Sequence, residues 1–225
     1  HYFGLTGSLQ KHIESGLLSG GTQMSLIINI DRFRLSRSFS DQFWPILALV
    51  HESRIQVPFV VALYCGKSKP QWIESFLRDF IDELLFLVTE GLSYVESTYS
   101  VSVRAFVCDA PAMPYVKCIT GHGGYYACEK CIQRGTYSPE FQKVLLTEVD
   151  HAQRTDDDFG QQKNKPHHKS QSPLLKLPVE MVSQFPLDYM HLVCLGVIKI
   201  LVQYWLGKHP CNARLSPHDK ASISQ

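Results

Sequence analysis

Runs of apolar residues with strand-like and helix-like periods follow one another through the first half of the chain. Met24–Ile30 is almost unbroken apolar sequence, with Leu26, Ile27, Ile28 and Ile30. β-Branched residues at this density predict a buried strand. Gln42–Val50 (QFWPILALV) predicts a second strand, in which Pro45 suggests an edge position or a bulge. Val57–Cys65 (VPFVVALYC) predicts a third, broken by Gly66–Pro70. Pro70 fits the first turn of a helix. Across Gln71–Glu90, apolar residues at Trp72, Ile73, Phe76, Leu77, Phe80, Ile81, Leu84, Leu85 and Val88 form a helical stripe that Gly91 ends. Val101–Cys108 predicts a fourth strand. Upstream, Leu5, Leu9, Ile13 and Leu17 give His1–Gly21 a helical reading, and polar Arg32–Asp41 reads as a loop or turn.

The order strand, strand, strand, helix, strand predicts an α/β fold. Three strands joined by short turns suggest an antiparallel meander. A helical crossover then permits the fourth strand to lie parallel to the first and beside it. Both of these strands deliver an aspartate at their ends, Asp31 and Asp109. The pattern then changes. Ala110–Lys117 reads as a short helix, Cys118–Cys131 is rich in Gly, His and Cys, and Gln133–Ser170 is a long, poorly regular insertion. It carries an acidic run at Asp156–Asp158 and a basic stretch at Lys163–Lys169. Segments of this length are usually functional, metal-stapled or mobile. Leu174–Glu180 is a short link, and Pro186–Leu206 reads as an apolar helix ended by Gly207.

Composition narrows the class without naming a partner. Hydrophobic residues make up 44% of 225 residues, which fits a globular chain and excludes disorder. With 22 basic and 21 acidic residues the formal charge is +1, which neither supports nor excludes nucleic acid. Seven Cys without a signal peptide favour reduced thiols in an intracellular protein, some of them metal-bound. Apolar runs long enough for a membrane span, about 18 residues, do not occur. The start at HYFG and the polar end ASISQ read as a piece of a longer protein.

Four groups of residues carry candidate chemistry. Asp31 and Asp109, on neighbouring strands, repel each other unless a cation sits between them, and Mg²⁺ or Mn²⁺ suits hard oxygen ligands. The bland alternative is that each is a strand-end Asp. Cys118-x3-His122-x5-Cys128-x2-Cys131 has the knuckle spacing of tetrahedral zinc, with reduced core cysteines or a redox pair as the alternative. Cys118 and His122 compete with His167, His168 and His191 for the two places that Cys128 and Cys131 leave. Asp188 and His191, followed by Cys194, share a helix face, and His191 reads as a zinc ligand or as a hydrogen-bonded core residue. His167, His168 and Lys169, beside Lys163 and Lys165, read as a phosphate contact or as a solvated loop.

In this order the chain resembles the catalytic region of cut-and-paste DNA transposases of the CACTA–Mirage–Chapaev type, including transposase-derived proteins. The carrying motifs are INIDRFRLSRSFSDQFWPIL (Ile28–Leu47), PFVVALYCGKSKP (Pro58–Pro70), VCDAPA (Val107–Ala112), GHGGYYACEKC (Gly121–Cys131), RTDDDF (Arg154–Phe159), HHKSQSPL (His167–Leu174) and FPLDYMHLVCLGV (Phe185–Val197). The resemblance implies an RNase H-like fold, with Asp31 and Asp109 as the first two acids of a DDE triad. It implies zinc at Cys128/Cys131 and at Asp188/His191. Two departures stand out. Arg32 follows Asp31 where similar sequences more often carry Gly, and neither Glu180 nor Asp219 matches a motif for the third acid, which is expected beyond Gln225.

The expectation is therefore a C-terminally incomplete RNase H-like catalytic domain. Residues 1–117 form the first part of the core, 118–184 a Cys/His-rich zinc insertion and 185–225 a helical segment leading to the remainder. Function would be two-metal cleavage and transfer of DNA strands at transposon ends and target, in the nucleus. Cofactors would be Mg²⁺ or Mn²⁺ at the carboxylates and a structural Zn²⁺. A homo-oligomer is a further expectation, and no membrane partner is expected. The alternative is a domesticated, inactive domain that binds DNA or protein. A weaker third reading is a zinc-dependent hydrolase, against which Cys-rich, closed ligation argues.

Overall fold

The computed structural model describes residues 1–33, 41–207 and 215–223. They form two compact units, His1–Pro186 and Leu187–Gln225. The first is built on a five-stranded mixed sheet. Its strands are β1 (Gln23–Ile30), β2 (Gln42–Val50), β3 (Phe59–Gly66), β4 (Leu92–Tyr94) and β5 (Ser97–Val107), in the spatial order β3-β2-β1-β5-β4. β1–β2 and β2–β3 pair antiparallel, as the meander predicts. β1 and β5 pair in parallel. The helix between β3 and β4, α2 (Ile73–Glu90), buries Leu77, Phe80, Ile81, Leu84 and Leu87, an i,i+3/i+4 stripe. It starts after Trp72, so Pro70 lies ahead of the helix and not in its first turn.

β1 is the central strand, and Leu26, Ile28 and Ile30 are fully buried on it. Ile46, Ala48 and Val50 of β2, Val61 of β3, and Val103 and Phe106 of β5 join them in one core. The expectation that Pro45 marks an edge fails, because β2 is flanked on both sides; the bulge reading fits, since the register with β3 shifts between Ile46 and Leu47. The sequence pattern also misses β4. Its hairpin partner is the start of β5, with Leu92 opposite Tyr99. The turn between them contains Val95 at φ 57°, not the Asn-Gly or Asp-Gly that signals such a hairpin. Gly91 has φ 78°, and a Cβ there would meet the Tyr99 carbonyl oxygen at 2.8 Å, so the helix stops and the chain turns into β4 at a position made for glycine.

The lead-in helix is shorter than expected. β3 is an edge strand, and its free backbone groups capture the first residues: Phe3 N–H donates to Val61 O at 2.8 Å and Leu63 N–H to His1 O at 2.8 Å. The helix that remains, α1 (Thr6–Glu14), buries Leu9, with Leu5 buried just ahead of it. Its N-terminal end is held by a carboxylate from α2. Glu83 accepts from Leu5 N–H (2.7 Å), Thr6 N–H (2.9 Å) and Thr6 Oγ1 (2.6 Å), and from the Tyr2 hydroxyl.

After β5 the chain forms α3 (Ala112–Val116), a small hairpin of β6 (Thr136–Ser138) and β7 (Lys143–Leu145), and α4 (Asp156–Gly160). The following segment returns to the core. Leu174, Leu177, Met181, Val182 and Phe185 are buried in the same cluster as the sheet. Gln184 covers the edge of β5 that β4 leaves open: its carbonyl accepts from Phe106 N–H (2.8 Å) and its Nε2 donates to Val103 O (2.6 Å). Phe185 stacks on Phe106 with ring centroids 4.9 Å apart. In the second unit, a π-helical stretch Met190–Ile198 runs on as α5 (Lys199–Trp205), and α6 (Pro217–Ile223) follows. Gly207, at φ 71°, follows α5 as expected. Most of the polar stretch read as a loop at Arg32–Asp41 lies outside the described residues.

Burial opposes ionisation of Glu83, but the hydrogen bonds from Thr6, Tyr2 and Leu5 outweigh it and hold the carboxyl below its ordinary pKa. A group with a depressed folded pKa stabilises fully above its unfolded value, about 4.3 for Glu, and loses that contribution as pH falls through the folded value. Glu83→Gln is expected to cost about 1–3 kcal/mol at neutral pH and to flatten the loss of thermal stability below about pH 4. Thermal melts from pH 7 to 3 check this.

Candidate functional site

The pairing of β1 with β5 brings the two candidate carboxylates to one end of the sheet. Asn29 is the register partner of Val107. Asp31 and Asp109 each follow this last pair by two residues, just beyond the ends of β1 and β5. Asn29 Nδ2 locks the pair by donating to Val107 O at 3.0 Å. Asp109 is buried at 8% exposure, and its Oδ1 accepts from Ala112 N–H at 2.7 Å, fixing the carboxylate against the first turn of α3. Asp31 is half-buried, and its Oδ1 accepts from Arg32 N–H at 2.6 Å. Cys108 directly precedes Asp109 and is buried. Burial pushes its thiol pKa far up, and the negative charges of Asp31 and Asp109 both push it further. A neutral thiol under two carboxylates leaves the end of the sheet with hard oxygen donors, the ligand type that Mg²⁺ or Mn²⁺ takes.

The Cys/His-rich insertion folds against the same core. Cys128 and Cys131 have their Sγ atoms 3.2 Å apart, and Cys131 N–H points at Cys128 Sγ at 3.3 Å. Burial opposes ionisation of both thiols. At Cys131 that is outweighed by the backbone and side-chain N–H groups of Gln133, the Cys128 thiol and the charge of Arg154, so its pKa falls; at Cys128 it rises. This thiol pair suits a soft metal ion. Cys118 is buried beside the Tyr115 carbonyl, whereas His122 is exposed. Among the described residues, no group of three or more His, Cys, Asp or Glu side chains gathers as a metal centre needs. Of Cys118, His122, Cys128 and Cys131, the structure sets Cys128 and Cys131 in direct contact.

His167 and His168 are not a solvated loop. His167 is fully buried, and its Nδ1 lies 2.7 Å from Tyr126 O. Its backbone carbonyl accepts from Thr120 N–H at 2.7 Å. Burial pushes its pKa down to about 4, and the charge of Arg154 adds to the shift, so the ring is neutral near pH 7. His168 is half-buried and packs edge-on to Phe159 at 4.7 Å between ring centroids, while Lys169 is exposed. The aromatic Phe159 and the turn at Lys165–His167 draw this basic stretch inward despite its polar composition.

In the second unit, Asp188 and His191 form a close pair, Oδ2 to Nδ1 at 2.6 Å. Burial raises the Asp188 pKa, but the hydrogen bonds from His191 and Met190 and the charge of His191 outweigh it and hold the carboxylate low. Glu180, in the first unit, is exposed and hydrogen-bonded by Ser183, and Asp219 in the second is held by Ser216. Among the described residues, no helix is long and apolar enough to cross a membrane. No protein-family model matches the chain, and no curated protein matches it.

Sequence reasoning missed the residues that anchor the insertion. Lys117 is 1% exposed and pairs with Glu129 at 2.6 Å, between the rings of Phe159 and Phe185 at 5.0 and 5.2 Å. Lys130 donates to Val182 O and Phe185 O. Arg154 Nε donates to Cys128 O at 2.9 Å. A lysine in a polar stretch gives no sign that it is buried; the nearest signal is the pair of charges, Glu129 and Lys130, inside the Cys-x2-Cys. Removing one member of a buried ion pair strands the other charge. Glu129→Ala is expected to destabilise by about 3 kcal/mol, and Lys117→Met in the same chain to recover most of it. Denaturant unfolding of the single and double variants checks this.

Proposed function

We propose that the chain belongs to an RNase H-like catalytic domain of the DDE transposase kind, which cuts and joins DNA strands with divalent cations held by Asp31 and Asp109. The observation that carries this reading is the parallel β1–β5 register, which sets these two carboxylates at the same strand ends. The strand order, with three antiparallel strands and a parallel fourth reached through a helix, supports it too. Asp31 and Asp109 would hold divalent cations, which would supply activation of an attacking water or 3′-hydroxyl and charge stabilisation of the leaving oxygen of a phosphodiester. The residues of this chain supply the rigid end of that arrangement. Asp109 is pinned by Ala112 N–H, Asp31 by Arg32 N–H, and Asn29 holds the two strands in step. A third acid would complete the triad that the resemblance implies. DNA as substrate implies work in the nucleus.

The zinc proposed for this domain is structural and uses Cys128 and Cys131. Its support is the close thiol pair, with Cys131 disposed to ionise. Glu129 and Lys130 anchor the knuckle on the core, so a metal there would order the polar segment around it.

Asp31→Asn is expected to abolish Mg²⁺-dependent nicking of DNA by the full-length protein while its circular dichroism stays unchanged. Retained nicking would remove Asp31 from the reaction. No nicking by the wild type, with DNA still bound, would favour the domesticated binding domain. Cys128→Ser is expected to drop the zinc content from about one equivalent to none and to lower the melting temperature. Wild-type protein without zinc by elemental analysis would contradict the zinc site.

A further inference from the structure

Within the insertion lies a cavity of about 450 Å³, lined among others by Arg154, His168, Ile132, Lys163, Lys165 and Asp158. Two of these side chains bury a nitrogen that has no hydrogen-bond partner in the protein: Nη2 of Arg154 and Nδ1 of His168. Unpaired buried polar atoms are rare in folded proteins. Arg154 is only 8% exposed, and its Nε is tied to Cys128 O, so the guanidinium is fixed in place. The charge of Arg154 also acts on both His167 and His168, which places the three side chains in one neighbourhood.

The charges of the wall select the ligand. Lys163 is neutralised by its pair with Asp158. Lys165 and Arg154 are left facing the cavity as cations, with a neutral imidazole beside them. Ile132 and Pro166 give the same cavity an apolar wall. The volume exceeds what an inorganic phosphate fills. Arginine forms a fork suited to phosphate oxygens, and an apolar wall suits the face of a base.

We propose that this cavity binds a nucleotide through a terminal phosphate, with Arg154 and Lys165 on the phosphate and the apolar Ile132 and Pro166 beside the nucleoside. The source is either a free nucleotide or the 5′-phosphorylated end of a DNA strand. The site shares no residue with the carboxylate pair, so it stands or falls apart from the cleavage reading.

The test is calorimetric titration of the 225-residue chain, without added divalent cation, with three probes: deoxyadenosine monophosphate, a 5′-phosphorylated single-stranded oligonucleotide and the same oligonucleotide without its phosphate. The phosphorylated probes are expected to bind, and the unphosphorylated oligonucleotide to bind at least about tenfold more weakly. Equal affinity for the two phosphorylated probes assigns the site to free nucleotide, and tighter binding of the oligonucleotide assigns it to a DNA end. Arg154→Gln is expected to abolish the binding, and Lys165→Gln to weaken it about tenfold. Lys165 is exposed, so its variant decides the matter if Arg154→Gln fails to fold. No saturable binding by the wild type, or affinity that Lys165→Gln leaves unchanged, overturns the proposal.

Discussion

The parallel pairing of β1 with β5 is the constraint on which the rest depends. It puts the two strands with an aspartate at their ends side by side, and after a one-residue register shift between Leu26 and Ile27 it sets Asn29 opposite Val107. A slip of one residue would turn every side chain of β5 to the other face of the sheet. Burial on both strands makes such a slip costly: Leu26, Ile28 and Ile30 on β1 and Val103 and Phe106 on β5 are packed in the core. The hydrogen bond from Asn29 to Val107 O adds a polar lock at the end where the carboxylates stand. The acidic pair is thus a consequence of core packing more than of local sequence.

The insertion is attached by buried charge. Lys117 and Glu129, Lys130 and the carbonyls of Val182 and Phe185, and Arg154 and Cys128 O form three ties around one Cys-x2-Cys. Each takes a charged group out of water and satisfies it with a fixed partner. Such pairs specify a position more than they stabilise it, because desolvation offsets much of the Coulomb gain. Gln184 and Phe185 then close the open edge of β5, so one segment both anchors the insertion and protects the sheet.

The sheet was largely legible in the sequence, and the insertion was not. β1, β2, β3, α2 and β5 each have a hydrophobic period that matches their burial, so periodicity found them, and the gap between the third and fourth strands fixed the parallel crossover. β4 escaped because three residues with a Val–Glu turn carry neither period nor turn signal. The N-terminal helix was overextended because its first residues pair with the β3 edge, a tertiary contact that local spacing does not encode. At the site, Asp31 and Asp109 were legible as strand-end acids and Cys128/Cys131 as a knuckle. Lys117, Arg154 and the burial of His167 were not, since polar residues in polar stretches announce burial only through partners distant in sequence.

The most direct test of the account is Mn²⁺ binding to this chain, followed by electron paramagnetic resonance. Wild type is compared with the double variant Asp31→Asn, Asp109→Asn. The account predicts saturable Mn²⁺ binding by the wild type and its loss in the double variant, with both proteins folded. Equal binding by the two would contradict it, because the cation would then be held somewhere other than between β1 and β5.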